Sequence, residues 1–223
     1  MRRTACLNGQ DFHNVLATPE NVLFTELGNP IMEKLDSVPE TMQTIPFNYV
    51  TSNNPEHDKW VHFYIQDYLF NRVWNTPKKY MELLKSYPGV FQPDFSLFRD
   101  VPMPIQIFNH YRKQWCAAYW QAHGIKVIPN VCWSTEESYD FCFDGVPKGS
   151  VISVSAIGSM KEPEARYLFF KGYEEALKRL EPKLVLLRCS DSWLDEVVSM
   201  TGPVQLLTYD SYNSYTKPGQ CTI

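Results

Sequence analysis

The run Val151-Ile152-Ser153-Val154-Ser155-Ala156-Ile157-Gly158 constrains the fold more than any other stretch of this chain. Its small, almost continuously apolar residues suit a strand with both faces covered. Residues 162–180 follow with Phe169, Tyr173, Ala176, Leu177 and Leu180 at helical spacing, and Lys183-Leu184-Val185-Leu186-Leu187-Arg188 repeats the strand pattern. Strand, crossover helix and strand make a parallel unit with a right-handed connection.

The alternation extends in both directions. Residues 60–65, 90–95 and 126–133 read as strands, and so do residues 204–209 beyond a short helix at 193–200. Thr76-Pro77 opens a helix that Pro88-Gly89 ends, with Thr76 as its N-cap. Residues 104–123 form the clearest helix, with Phe108, Tyr111, Trp115, Ala118 and Ala122 on one buried stripe and Asn109, Arg112 and Lys113 largely off it. Ser134 with Glu137 has the spacing of a capping box.

The sequence therefore predicts an α/β fold of parallel strand–helix repeats. Eight units close a full barrel in ~250 residues, and at 223 residues this chain is somewhat short of that. An incomplete or distorted barrel is favoured, with an open doubly wound sheet as the alternative. Pro19, Pro30, Pro39 and Pro46 break up the start of the chain. Residues 1–45 are accordingly expected to be an irregular segment packed on an α/β domain at 46–210, with a flexible tail at 211–223.

Charge narrows the partners. With 21 Lys+Arg against 25 Asp+Glu, the formal net charge is −4, which weighs against duplex nucleic acid because such surfaces need clustered cations. No apolar run is long enough to span a bilayer. Arg2-Arg3 is not followed by the apolar core of a signal peptide, so a cytoplasmic location is expected. Six cysteines without a CxxC pair read as free thiols, and no metal site is expected. The 14% aromatic content suits a ring-rich core, and it also suits stacking on bases or sugars.

Three stretches resemble signatures of the DUF4417 family of bacteria, phages and mobile elements. They are residues 89–100 (GVFQPDFSLFRD), residues 124–133 (GIKVIPNVCW) and residues 141–147 (FCFDGVP). The resemblance covers roughly residues 55 to 210. It implies a phage, prophage or plasmid origin and an accessory task such as counter-defence or host takeover, in the host cytoplasm if phage-encoded. It brings no reaction and no catalytic residues with it.

The chemistry must be read from the strand ends, because ligands of parallel α/β folds bind beyond the carboxyl ends of the strands. Asp94 and Asn130, each following a proline at such an end, are the candidate catalytic pair. Asp94 would act as acid or base and Asn130 would orient the substrate, although each also suits a turn or cap. Ser96, Trp133, Ser155, Gly158, Ser159 and Ser190 are the candidate ligand-binding residues. Trp133 could stack a ring or fill the core. Ser155 to Ser159 could cradle a phosphate, without the fingerprint of a P-loop or dinucleotide fold. No motif names a cofactor. Two functions follow: an enzyme acting on a nucleotide- or sugar-containing small molecule, or a non-catalytic protein that sequesters a small molecule or grips a host protein.

Overall fold

The computed structural model describes residues 13–39, 42–209 and 219–222. The strands are β1 (Gln43–Pro46), β2 (Trp60–His62), β3 (Val90–Phe91), β4 (Val127–Ile128), β5 (Val151–Ser155), β6 (Leu184–Arg188), β7 (Gln205–Tyr209) and β8 (Gly219–Thr222). The helices are α1 (Asp67–Phe70), α2 (Arg72–Asn75), α3 (Pro77–Leu84), α4 (Met103–Ala122), α5 (Pro163–Leu180) and α6 (Asp191–Thr201). Strand–helix alternation places the chain in the α/β class.

The strand order is β4-β3-β2-β1-β8-β7-β6-β5. β1 to β4 pair in parallel, as do β5 to β7. β8 runs antiparallel between β1 and β7 and joins the two parallel sets. The outer strands β4 and β5 meet only at a parallel bridge, Asn130 to Ser153. There Val131 N donates to Ser153 O at 2.8 Å and Ser153 N to Pro129 O at 2.7 Å. Among the described residues no continuous ladder closes the sheet into a barrel.

Two-residue periodicity puts alternate side chains on opposite faces. Val61, Val90 and Val127 face a core that includes Trp115 and Trp120 of α4. Ile152, Val154, Val185 and Leu187 face a second core with Phe169, Tyr173 and Ala176 of α5. The intervening residues, Trp60, Phe91, Ile128, Val151, Leu184 and Leu186, form a third cluster on the inner face, joined by Leu207 and Met42. Glycine permits one close contact here: a Cβ on Gly89 would lie 2.3 Å from the Trp60 ring.

α4 departs from the expected stripe. Trp115 and Ala118 are buried, but Phe108 is 36% exposed, whereas Gln106, Asn109, His110, Lys113 and Gln114 are buried. Both flanks of the helix are covered, and its polar flank meets backbone and side-chain partners rather than water. The capping box does not form either. Ser134 Oγ donates to Gln106 Oε1 at 2.6 Å, and the 3-10 turn Glu136–Asp140 starts from an uncapped Thr135.

The segment before β1 is tied to the domain by specific bonds. Thr25 Oγ1 and Asn29 Nδ2 donate to Asp144 Oδ2 at 2.6 and 2.7 Å, and Met32 N donates to Gly145 O at 2.9 Å. The turn at Asp144-Gly145, with Gly145 at φ +78°, thus anchors that segment. Most of the tail expected at 211–223 lies outside the described residues, as do Asp210, Arg2, Arg3 and Cys6, and residues 219–222 form β8. Among the described residues no helix is long and apolar enough to cross a membrane.

Candidate functional site

Continuing the inner-facing positions of β2, β4, β5 and β6 towards the carboxyl end changes their chemistry from apolar to polar. Trp60 is followed two residues on by His62, Ile128 by Asn130, Val151 by Ser153 and Leu186 by Arg188. The inner apolar cluster is therefore the floor of a polar layer, and above that layer a cavity of about 770 Å³ opens. Tyr64, Asp67, Asp94, Ser96, Ser155 and Arg188 line it with Ile65, Tyr68, Phe98 and Ile157. Volumes of this order hold nucleotide- or drug-sized molecules.

Asn130, 1% exposed, organises the layer. Its Nδ2 donates to Asp94 Oδ1 at 2.7 Å, and its Oδ1 accepts the Tyr64 hydroxyl at 2.9 Å. Tyr64 Oη also lies 2.5 Å from Ser153 Oγ. The backbone of Asn130 is held as well: its N–H donates to Gln92 Oε1 at 3.0 Å, and its carbonyl accepts from Lys113 Nζ at 2.7 Å. Lys113 is fully buried and also reaches Cys132 Sγ at 3.2 Å. The Asp94 carboxyl lies near enough to feel the Lys113 charge.

Asp94 is half-buried. Burial pushes its carboxyl above the usual range, against the pull of Lys113, the Asn130 hydrogen bond and Arg188; nearby Asp67 pushes the same way as burial. Asp67 is fixed in turn, since its two oxygens accept Ser96 N–H at 3.1 Å and Ser96 Oγ–H at 2.8 Å. The Arg188 guanidinium lies over the Tyr64 ring, 5.2 Å from its centroid. Burial raises the Cys132 thiol away from the reactive thiolate, against the pull of Lys113.

The structure brings Asp94, Ser96 and Ser155 to one cavity wall, with Asn130 directly behind Asp94. It does not bring Trp133, Gly158, Ser159 or Ser190 there. Trp133 packs on α5, donating from Nε1 to Leu168 O at 3.1 Å and meeting the Phe169 ring at 5.6 Å. Gly158 occupies an exposed turn at φ +91°, and Ser159 N–H closes that turn onto Ala156 O. Ser190 precedes α6 on the surface, its Oγ 3.2 Å from that of Ser192. Trp133 thus lies against α5, outside the lining of the cavity at Asp94.

Sequence reading missed Tyr64, Ser153, Arg188, Lys113 and Asp67. A usable signal existed for two of them. Ser153 and Arg188 are polar residues at the inner-facing period of otherwise apolar strands, and such positions need a reason. Among the described residues, no group of three His, Cys, Asp or Glu is placed to hold a metal ion.

Comparison with known proteins adds the lineage. The profile of a family described as "Domain of unknown function (DUF4417)" matches residues 20–210, reaching further towards the N-terminus than the three motifs do. The Gene 1 protein of Mycobacterium phage D29 is 38% identical over 165 residues, covering 69% of this chain and 61% of that protein. The Gene 1 protein of Mycobacterium phage L5 is 36% identical over 165 residues, covering 69% of this chain and 72% of that protein. The chain thus spans about three fifths of the D29 relative. No solved structure matches it. A profile spanning most of the chain and two phage relatives establish that the chain belongs to the DUF4417 family.

Proposed function

We propose that this protein binds a nucleotide- or sugar-containing small molecule in the cavity above β2–β6 and acts on it by proton transfer at Asp94. The observation that carries the reading is the Asp94 carboxylate, raised above its usual range and exposed to a cavity of about 770 Å³. Asn130 fixes Oδ1, and Oδ2 has no hydrogen-bond partner among the described residues. A carboxyl oriented through one oxygen can give or take a proton through the other. Asn130, itself held by Tyr64 and Lys113, positions it, while the guanidinium of Arg188 in the same lining suits an anionic group of the ligand. Tyr68 and Phe98, 74% and 60% exposed at the mouth, offer faces for a base or sugar ring.

A second reading rests on the same mouth. Tyr68, Phe98 and Ile157 together leave an apolar rim, which suits a phage accessory protein that sequesters a small molecule without transforming it, or grips a host protein.

The test begins with native mass spectrometry of freshly purified protein and identification of any released small molecule. Asp94→Asn should then lower turnover of that molecule by about 10²–10⁴ while its binding persists. The variant should be at least as stable as the parent at neutral pH. Because the folded-state carboxyl titrates above its unfolded value of 3.8, the unfolded chain loses its proton first as pH rises, and the parent loses stability through that window. An amide carries no such penalty. Stoichiometric binding without product would establish the sequestering reading, and unfolding of the variant would make Asp94 structural.

A further inference from the structure

We infer a second binding site, for the phosphate ester of a small hydroxylated molecule, in the cleft between the 3-10 turn Phe47–Tyr49 and helices α2 and α3. The cleft encloses about 700 Å³ and shares no lining residue with the cavity at Asp94. Its walls carry Arg72, Lys79 and His57, with hydroxyls from Thr51, Ser52 and Ser86.

Like several others of the chain, the two cations of this cleft, Arg72 and Lys79, have no ion-pair partner among the described residues. Aromatic faces hold them instead: the Arg72 guanidinium is 4.8 Å from the Phe47 centroid and 5.5 Å from that of Tyr80, and Lys79 Nζ is 5.5 Å from Tyr80. Rings steer these cations without neutralising them. Glu82 is the carboxylate on the lining, and Lys85 lies 3.4 Å from it. Two positioned cations without counter-charges suit a dianionic phosphate group.

A second feature suits a hydroxyl on the ligand beside the phosphate. Asn48 lines the same cleft, and its Oδ1 is buried without a hydrogen-bond partner. A buried amide oxygen left unpaired is costly, and an O–H of the ligand would satisfy it. His57 is braced from behind, its Nδ1 2.9 Å from Ser86 Oγ.

The test is an NMR titration of the His57 ring resonances with inorganic phosphate, ribose 5-phosphate and ribose at low ionic strength. Ribose 5-phosphate should bind saturably and more tightly than inorganic phosphate, and ribose should not bind. Arg72→Gln with Lys79→Gln should weaken ribose 5-phosphate by about tenfold or more. Lys79→Gln alone, at an exposed position, should give an intermediate loss if the double variant misfolds. Asp94→Asn should leave this titration unchanged, so the result is independent of the other cavity. Equal affinity for phosphate and ribose 5-phosphate would overturn the ester assignment. Absence of saturation, or binding undiminished in the charge variants, would overturn the site.

Discussion

Gly172→Ala should destabilise the protein by about 3 kcal/mol or more, lowering the melting temperature by roughly 6–12 °C for a domain of this size. In an ordinary helix interior the same change stabilises by up to ~1 kcal/mol, because alanine gives up less backbone freedom. Here the sign reverses. A Cβ at Gly172 would lie 2.1 Å from Trp133 Nε1 and 2.3 Å from Cδ1, and neither α5 nor the indole can yield easily. The ring is held by its hydrogen bond to Leu168 O and by Phe169. Making room would sacrifice that bond and the packing of α5 on β5 and β6. Denaturant unfolding of Gly172→Ala measures the loss, and Trp133→Leu in the same background should recover part of it. A variant as stable as the parent would mean that Trp133 does not pack on α5 and is available to a ligand after all.

Trp133 also shows how far the sequence could be read. Its two roles, ring stacker or core residue, differ only in what lies opposite, and in this chain that is a glycine on a helix nearly forty positions later. No local pattern encodes that pairing. The strands were legible because two-sided burial leaves a continuous apolar run, as in residues 184–187. Their lengths were less so. β3 and β4 keep only two ladder residues each, since Pro93 and Pro129 lack the N–H needed to continue pairing. The same prolines turn Asp94 and Asn130 towards each other, which made that pair legible as strand-end residues. β8 was not legible, because Gly219-Gln220-Cys221-Thr222 has neither period nor apolar content.

α4 was misread for a different reason. Its aromatic stripe is real, but Asn109 and Lys113 are buried too, because the helix lies against the polar strand ends as well as the aromatic core. Amphipathicity assumes that water covers the polar face. Here Ser96 O accepts from Asn109 Nδ2 at 2.8 Å and Asn130 O from Lys113 Nζ at 2.7 Å. A polar flank can therefore be buried behind a site, holding its backbone in place.

Two buried histidines, His110 of α4 and His62 of β2, make the fold sensitive to acid: between pH 7 and pH 5 the unfolding free energy should fall by about 4 kcal/mol, half from each. Both imidazoles are held neutral. Burial, then the charge of Lys113, lowers His110 from 6.5 to about 3, despite its bond to Asp144 O. Burial and Arg188 lower His62 to about 3. The hydrogen bonds agree with the charges. His110 Nε2–H donates to Asp144 O at 2.9 Å, so a second proton must go on Nδ1, which is buried without a partner. His62 Nδ1 accepts the Tyr64 backbone N–H at 3.3 Å, and protonation would turn that acceptor into a donor. With folded-state values below the unfolded one, the unfolded chain takes up the extra protons first as pH falls. Stability present above about 6.5 is then lost progressively towards about 3. His110→Gln, whose amide can still donate to Asp144 O, should lose about half of this pH dependence. Urea unfolding of parent and variant across pH 5 to 7.5 provides the measurement. A parent whose stability is flat over that range would show that neither ring is held neutral, and would remove the reason for placing His62 beside Arg188 under the candidate site.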